Sequence, residues 1–251
     1  MTDKPTVLVT GAAKRVGKMI AIAFARHGWH IGLHYNTSAS DTAQAVEEIE
    51  AAGGSATLLQ ADLRDADAVT GLIERAKALP QWQALVNSAA IFQRDRTPSI
   101  TEDSWHDHQA INLEAPMRLS QAFAAQAQDG ANNLIINVLD SKMARPNEHY
   151  ISYSVSKAGL WYLTQAQALD LAPHIRVNAI GPGPTLVAPG QTEKQFEAAV
   201  MTLPLQRAPS AGEFESAIDF LLAARSMTGQ MIALDGGGHL GWLPPGRGQK
   251  L

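Results

Sequence analysis

Residues 6–28 read TVLVTGAAKRVGKMIAIAFARHG. An apolar run, Thr6–Thr10, meets a glycine, crosses a short polar turn and opens an amphipathic stretch from Gly17 to His27. That order is strand, tight turn, helix. Gly11 permits the turn, and the small Ala12 and Ala13 allow close approach to the backbone. The helix start turns free N–H groups and a positive dipole end toward the turn. Such a junction suits the diphosphate of a dinucleotide, and Gly11, Lys14, Arg15 and Val16 are candidate contacts to such a cofactor as a whole. The alternative is an ordinary connection between a strand and a helix.

Outward from this unit the same alternation recurs. Strand-like runs lie near His30–His34, Ala56–Gln60, Ala84–Asn87, Leu134–Val138, Arg176–Ile180 and Gln230–Leu234. Helical patterns cover Ser40–Ala52, Asp65–Leu79, Ser104–Gln128, Ser152–Leu171 and Ser210–Ala224. Seven strands separated by helices predict an α/β fold: one doubly wound, seven-stranded parallel sheet of the Rossmann type, in a single domain over residues 1–242. The Pro/Gly-rich Gly181–Gly190 and a short helical stretch near Glu193–Met201 predict a lid around residues 184–209, or else a plain surface loop. Residues 243–251 read as a C-terminal tail.

Composition narrows the function. The 251 residues are 45% hydrophobic and 18% charged, enough for a large core and too apolar for a disordered chain. A net charge of −4 with no basic run argues against nucleic-acid binding. No apolar stretch spans a membrane, and the opening residues carry no charged-then-apolar leader, so a cytoplasmic location is expected. The chain has no Cys, and His106 and His108 do not share a helical face, so no metal site is expected. Trp82, Trp105, Trp161 and Trp242 read as core or interface residues.

The second strand ends His34-Tyr35-Asn36-Thr37-Ser38, without the carboxylate that holds a ribose 2′-hydroxyl in NAD-selective sites. Lys14 and Arg15 instead offer cations to a 2′-phosphate. Both features favour NADP(H) over NAD(H), with His34, Tyr35, Asn36 and Ser38 as further cofactor contacts. Farther on, Tyr153-Ser154-Val155-Ser156-Lys157 opens a helix and sets a phenol and an ammonium four residues apart, on one face. The ammonium favours the ionised phenol, so the Tyr153 pKa is expected to fall toward neutrality. Thirteen residues upstream of Tyr153, Asp140 follows the fifth strand on the ligand-bearing edge. Asn112, within the long helical pattern Ser104–Gln128, reads as a buried hydrogen-bonder or as a link from Lys157 through water to solvent.

These pieces together resemble the short-chain dehydrogenase/reductase family over nearly the whole chain. The matching residues are Thr10-Gly11…Gly17, Asp62-Leu63, Asn87-Ser88-Ala89, Asn112, Tyr153…Lys157, Asn178–Gly183 and Thr228-Gly229-Gln230…Asp235-Gly236-Gly237. The resemblance implies an NAD(P)(H)-dependent oxidoreductase with Tyr153 as proton donor or acceptor. It implies that Lys157 holds the nicotinamide ribose and lowers the Tyr153 pKa, and that Asn112 anchors a relay water. It further implies cofactor contacts at Asp62, Leu63, Asn87, Ser88, Ala89, Pro182 and Gly183, and a homotetramer with Trp242 and the tail near a subunit contact. The apolar Trp161, Tyr162, Leu163 and Leu169 fit such an assembly.

Two departures refine the resemblance. Most members carry Gly at Arg15 and Ser at Asp140, and both changes resemble the pteridine reductase branch. There the substrate contacts would be Arg15, Phe92, Asp140 and Tyr153, with Phe92 stacking the pterin against the nicotinamide. That branch often has a second basic residue at Thr37 and a Ser at Ala90, which this chain lacks. The chemistry agrees: an ionised carboxylate only accepts hydrogen bonds, so Asp140 would oppose the charge developing on a ketone oxygen. It would instead anchor the N–H groups of a 2-amino-4-oxo-pteridine, or pass a proton through water. Alternatively Asp140 caps a loop and Ser141 supplies the hydroxyl. The expected activity is NADPH-dependent reduction of a C=N bond in a pterin or dihydropterin. A ketone reductase, for instance of a 3-oxoacyl thioester, and a non-catalytic NADP(H)-binding module are the competing readings.

Overall fold

The computed structural model describes residues 4–141, 148–188 and 190–241. Trp242, the tail 243–251 and Pro189 of the expected lid lie outside the described residues. The strands are β1 (Thr6–Val9), β2 (His30–Tyr35), β3 (Ser55–Gln60), β4 (Trp82–Asn87), β5 (Asn133–Val138), β6 (Ile175–Pro182) and β7 (Met231–Leu234). They form one sheet in the order β3-β2-β1-β4-β5-β6-β7, and every pairing is parallel. The doubly wound, seven-stranded sheet expected from the sequence is therefore present. The order reverses between β1 and β4, which opens a crevice at their carboxyl ends.

Strand alternation builds two cores. Val7, Val9, Ile31, Leu33, Val86 and Ile136 face helices α1 (Arg15–Arg26) and α8 (Ala211–Ala223), where Phe24 and Phe214 are fully buried. Leu8, Leu85, Ile135 and Val177 face the other way, onto α3 (Ala66–Lys77) and α5 (Ala115–Ala124), with Leu72, Leu119 and Phe123. Truncating a fully buried Phe such as Phe24 to Ala costs about 3–5 kcal/mol. Helix starts are written locally. Asp65 accepts from the N–H groups of Asp67 and Ala68 at 2.8 and 3.2 Å to cap α3. Ser210 and Glu213 form a capping box at α8. The other α-helices among the described residues are α2 (Ala39–Ala51), α4 (Glu102–Gln109), α6 (Ile151–Asp170) and α7 (Glu193–Val200).

The single long helix expected over Ser104–Gln128 is corrected. It is α4, then a π-helical turn over Ala110–Glu114, then α5. Pro116 has no N–H for the carbonyl four residues back, that of Asn112, so the regular ladder breaks there. Among the tryptophans, Trp82 is buried edge-on to Phe123, Trp161 packs with Leu139 and Leu160, and Trp105 lies at the surface.

Candidate active site

The turn after β1 is built for close approach. Gly11 is left-handed at φ +66°, and a Cβ there would meet Ala89 Cα at 3.0 Å. A Cβ on Gly17 would sit 2.3 Å from the Gly11 carbonyl oxygen. Thr10 Oγ1 accepts from the N–H groups of Ser88 and Ala89 at 2.9 and 3.0 Å, fastening the turn to the end of β4. Helix α1 begins with no side-chain cap and no acidic residue in its first turn. Its N–H groups and dipole therefore remain available to an anion, and a dinucleotide diphosphate fits this cradle.

Around it, Lys14 Nζ donates to Ser38 Oγ at 3.0 Å, with Asp41 at 4.0 Å. Arg15 is left-handed at φ +56°, which explains why glycine suits this position. Its guanidinium donates to the carbonyls of Val187 and Leu186 at 2.8 and 3.2 Å, joining the turn to the segment after β6. Asp62 is gripped by Arg64, whose closest contact is 2.6 Å, and this guanidinium holds the carboxyl below its ordinary range. Val16, Tyr35, Ser88, Ala89, Pro182 and Gly183 are partly exposed around the crevice, and Asn36 is exposed at the end of β2. His34, Leu63 and Asn87 are buried instead. Asn87 Nδ2 donates to Asn137 Oδ1 at 2.8 Å inside the sheet, and Leu63 belongs to the core.

At the crevice, α6 presents its first turns to the end of β5. Tyr153 Oη donates to Asp140 Oδ2 at 3.1 Å. Lys157, 2% exposed, donates from Nζ to the Val138 carbonyl at 2.7 Å and lies 6.0 Å from the Tyr153 ring centroid. Burial lowers the lysine to about 8, against a partial rise from Asp140. The expected fall of the Tyr153 pKa is corrected. Burial, and then the negative charge of Asp140, push the phenol well above its ordinary value, so it rests protonated. It is Asp140, not the buried Ser141, that meets the phenol. Asn112 is fully buried. It accepts from the Ile91 N–H at 3.0 Å and donates to the Ile91 carbonyl and Ser156 Oγ at 3.1 and 3.0 Å. Its side chain thus fixes the segment that carries Phe92.

Phe92 is 49% exposed, stacks on Tyr150 at 4.2 Å and meets Tyr153 edge-on at 4.7 Å. Sequence reasoning missed Tyr150, Asp95 and His108. Asp95 is buried and accepts the Ser152 N–H at the start of α6, 3.3 Å from each oxygen. The buried His108 accepts from the Gln93 N–H at 3.3 Å. Tyr150, three residues before Tyr153, could have been found as a second aromatic on the same helix start. Asp95 and His108 carried no local signal. Among the described residues, no three His, Asp or Glu side chains converge as a metal site would require, and no helix is long and apolar enough to cross a membrane.

Residues 11–239 match the family described as enoyl-(acyl carrier protein) reductase. The chain is 32% identical to pteridine reductase 1 of Leishmania tarentolae, covering 94% of this chain and 98% of that one. It is 30% identical to the 3-oxoacyl-[acyl-carrier-protein] reductase FabG of Staphylococcus aureus strain Mu50, covering 94% and 98%. A crystal structure of FolM alternative dihydrofolate reductase 1 from Brucella canis, complexed with NADP, superposes with a TM-score of 0.90. The two chains share 39% identity, with 97% of each covered.

Proposed function

The chain belongs to the short-chain dehydrogenase/reductase family, and from that premise we propose that it is an NADPH-dependent reductase of a C=N bond in a pterin or dihydropterin. The observation that carries this reading is the 3.1 Å bond from the Tyr153 hydroxyl to the Asp140 carboxylate. A ketone reductase needs a donor there, and a carboxylate beside a developing alkoxide raises the barrier. A pterin presents N–H groups, which a carboxylate accepts. The similarity to a FolM reductase complexed with NADP supports both halves of the reading.

In this reading Gly11, Val16 and the start of α1 hold the diphosphate, and Lys14 and Ser38 hold the 2′-phosphate. Asp62 marks the adenine end, Ser88 and Ala89 back the turn, and Pro182 and Gly183 border the nicotinamide side. The bound cofactor supplies hydride. Tyr153, protonated at rest, gives the proton that the substrate nitrogen gains as its carbon is reduced. Lys157 holds the nicotinamide ribose and replaces the charge balance that the phenol loses. Asn112 secures the wall behind both. Phe92 provides the apolar face for the flat substrate, with Arg15 at its rim, and residues 184–209 form the lid. A cytoplasmic homotetramer is the proposed setting.

The test is a side-by-side assay of NADPH consumption with dihydrobiopterin, dihydrofolate and acetoacetyl thioester. Pterin or folate turnover well above thioester turnover is expected. The 30% identity to FabG favours the competing ketone reading. Thioester turnover dominating would establish that one instead.

A further inference from the structure

His34 was expected among the cofactor contacts, yet it is 2% exposed and lies beneath the diphosphate turn. Its Nδ1 is 3.1 Å from the Gly11 nitrogen, and its Nε2 is 3.2 Å from the Ala61 carbonyl oxygen. A backbone N–H only donates, so Nδ1 must offer a lone pair. The ring proton then sits on Nε2 and is given to Ala61. Residue 34 also accepts the Ala12 N–H through its own carbonyl, at 3.0 Å. One residue thus holds both ends of the Gly11–Ala12 peptide step that opens the cofactor turn. Its ring reaches across to the residue that precedes Asp62.

We propose that His34 is a positioning residue for the cofactor: a rigid neutral imidazole that fixes the left-handed Gly11 and ties the diphosphate turn to the Ala61–Asp62 end of the site. It touches no part of the dinucleotide itself. Burial lowers its pKa to about 4, against a rise from its bond to Ala61, with Arg75 and Asp62 the charged groups that bear on it. The ring is therefore neutral at ordinary pH, as the two bonds require. Few other side chains accept at one end and donate at the other across so short a rigid span. This inference rests on the proposed NADPH site.

Two truncated isosteres separate the bonds. In His34→Asn the amide oxygen takes the place of Nδ1, and in His34→Gln the amide nitrogen takes the place of Nε2. His34→Leu removes both. Binding of NADP⁺ alone would be followed by titration calorimetry, alongside the NADPH KM, kcat and thermal midpoint of each protein. Leu and Gln are expected to weaken NADP⁺ binding by about tenfold, because the Gly11 N–H loses its acceptor and the turn its anchor, with kcat within about twofold of wild type. Asn should stay within about threefold, because it keeps the turn bond. Unchanged NADP⁺ affinity in Gln, or equal weakening in Asn and Gln, overturns the positioning role. The Asn and Gln pair decides the matter even if the Leu protein does not fold. A wild-type protein that binds no NADP⁺ or NADPH would overturn the cofactor reading itself, which separates the two failures.

Discussion

Asp140 and Lys157 set the electrostatics of the crevice in opposite directions. Burial, and then the carboxylate that accepts the Tyr153 hydroxyl, keep the phenol protonated, while the buried ammonium sits across the ring. Replacing Asp140 by Ser removes a negative charge and introduces a donor. Dihydropterin turnover should drop at least about tenfold while thioester reduction rises, and the basic limb of the pH–rate profile should move to lower pH as the phenol becomes easier to ionise. Parallel kinetics on the two substrates check this, and a variant that gains on ketones without losing on pterins would remove the pterin role of Asp140. Lys157 bears on stability. Its folded pKa of about 8 lies below the unfolded value of 10.5, so between those limits the unfolded chain binds more protons. Stability should therefore rise with pH across that window, with a ceiling on the order of 3 kcal/mol. Below pH 8 both states are protonated and the burial cost stands in full. Denaturant titrations from pH 7 to about 10 should show the rise in wild type and its loss in Lys157→Met, which should also be inactive.

At the level of elements, function sits where regular structure is interrupted. The β1–α1 junction depends on Gly17 having no side chain, because the obstacle to a Cβ is the Gly11 backbone and not a flexible tip. Gly17→Ala should destabilise the fold by about 1–3 kcal/mol and weaken cofactor binding more than it lowers kcat, as thermal melts and a KM–kcat comparison would show. Much of this was readable beforehand. Strand cores such as Leu134–Val138 and the Gly17–His27 periodicity follow from spacing alone, as does the Tyr153–Lys157 face. Other features depend on partners distant in the chain. The π-turn at Ala110–Glu114 keeps helical periodicity, with only Pro116 as a hint. The left-handed Arg15 looks like any helix-opening cation until its bonds to the Leu186 and Val187 carbonyls are seen. The Tyr153 pKa reversed because the ammonium was visible in sequence and the burial was not.

For the whole molecule, the unfilled surface matters as much as the filled core. Trp161 and Leu163, expected at a subunit contact, pack within the chain beside Leu160. What α6 leaves outward is Val155, Tyr162 and Leu169, seven residues apart and 44%, 75% and 84% exposed. A seven-residue spacing keeps all three on one stripe, opposite the buried Ser156, Leu160, Thr164 and Ala168. A second apolar surface lies at the far edge of the sheet, where β7 pairs with β6 alone among the described residues and Phe220 of α8 borders a groove lined by Ile232 and Leu234. Two separate self-complementary faces generate a closed tetramer when each is repeated about its own two-fold axis, whereas one face stops at a dimer. The proposed homotetramer therefore predicts a mass near four times the 26.8 kDa chain by light scattering. Tyr162→Glu with Leu169→Glu should leave dimers joined through the β7 edge, and Phe220→Glu should leave dimers joined through α6. Each of these places charge on a surface that the assembly would bury. A wild-type monomer at micromolar concentration, or tetramers that survive both changes, would show that these faces serve something other than self-assembly.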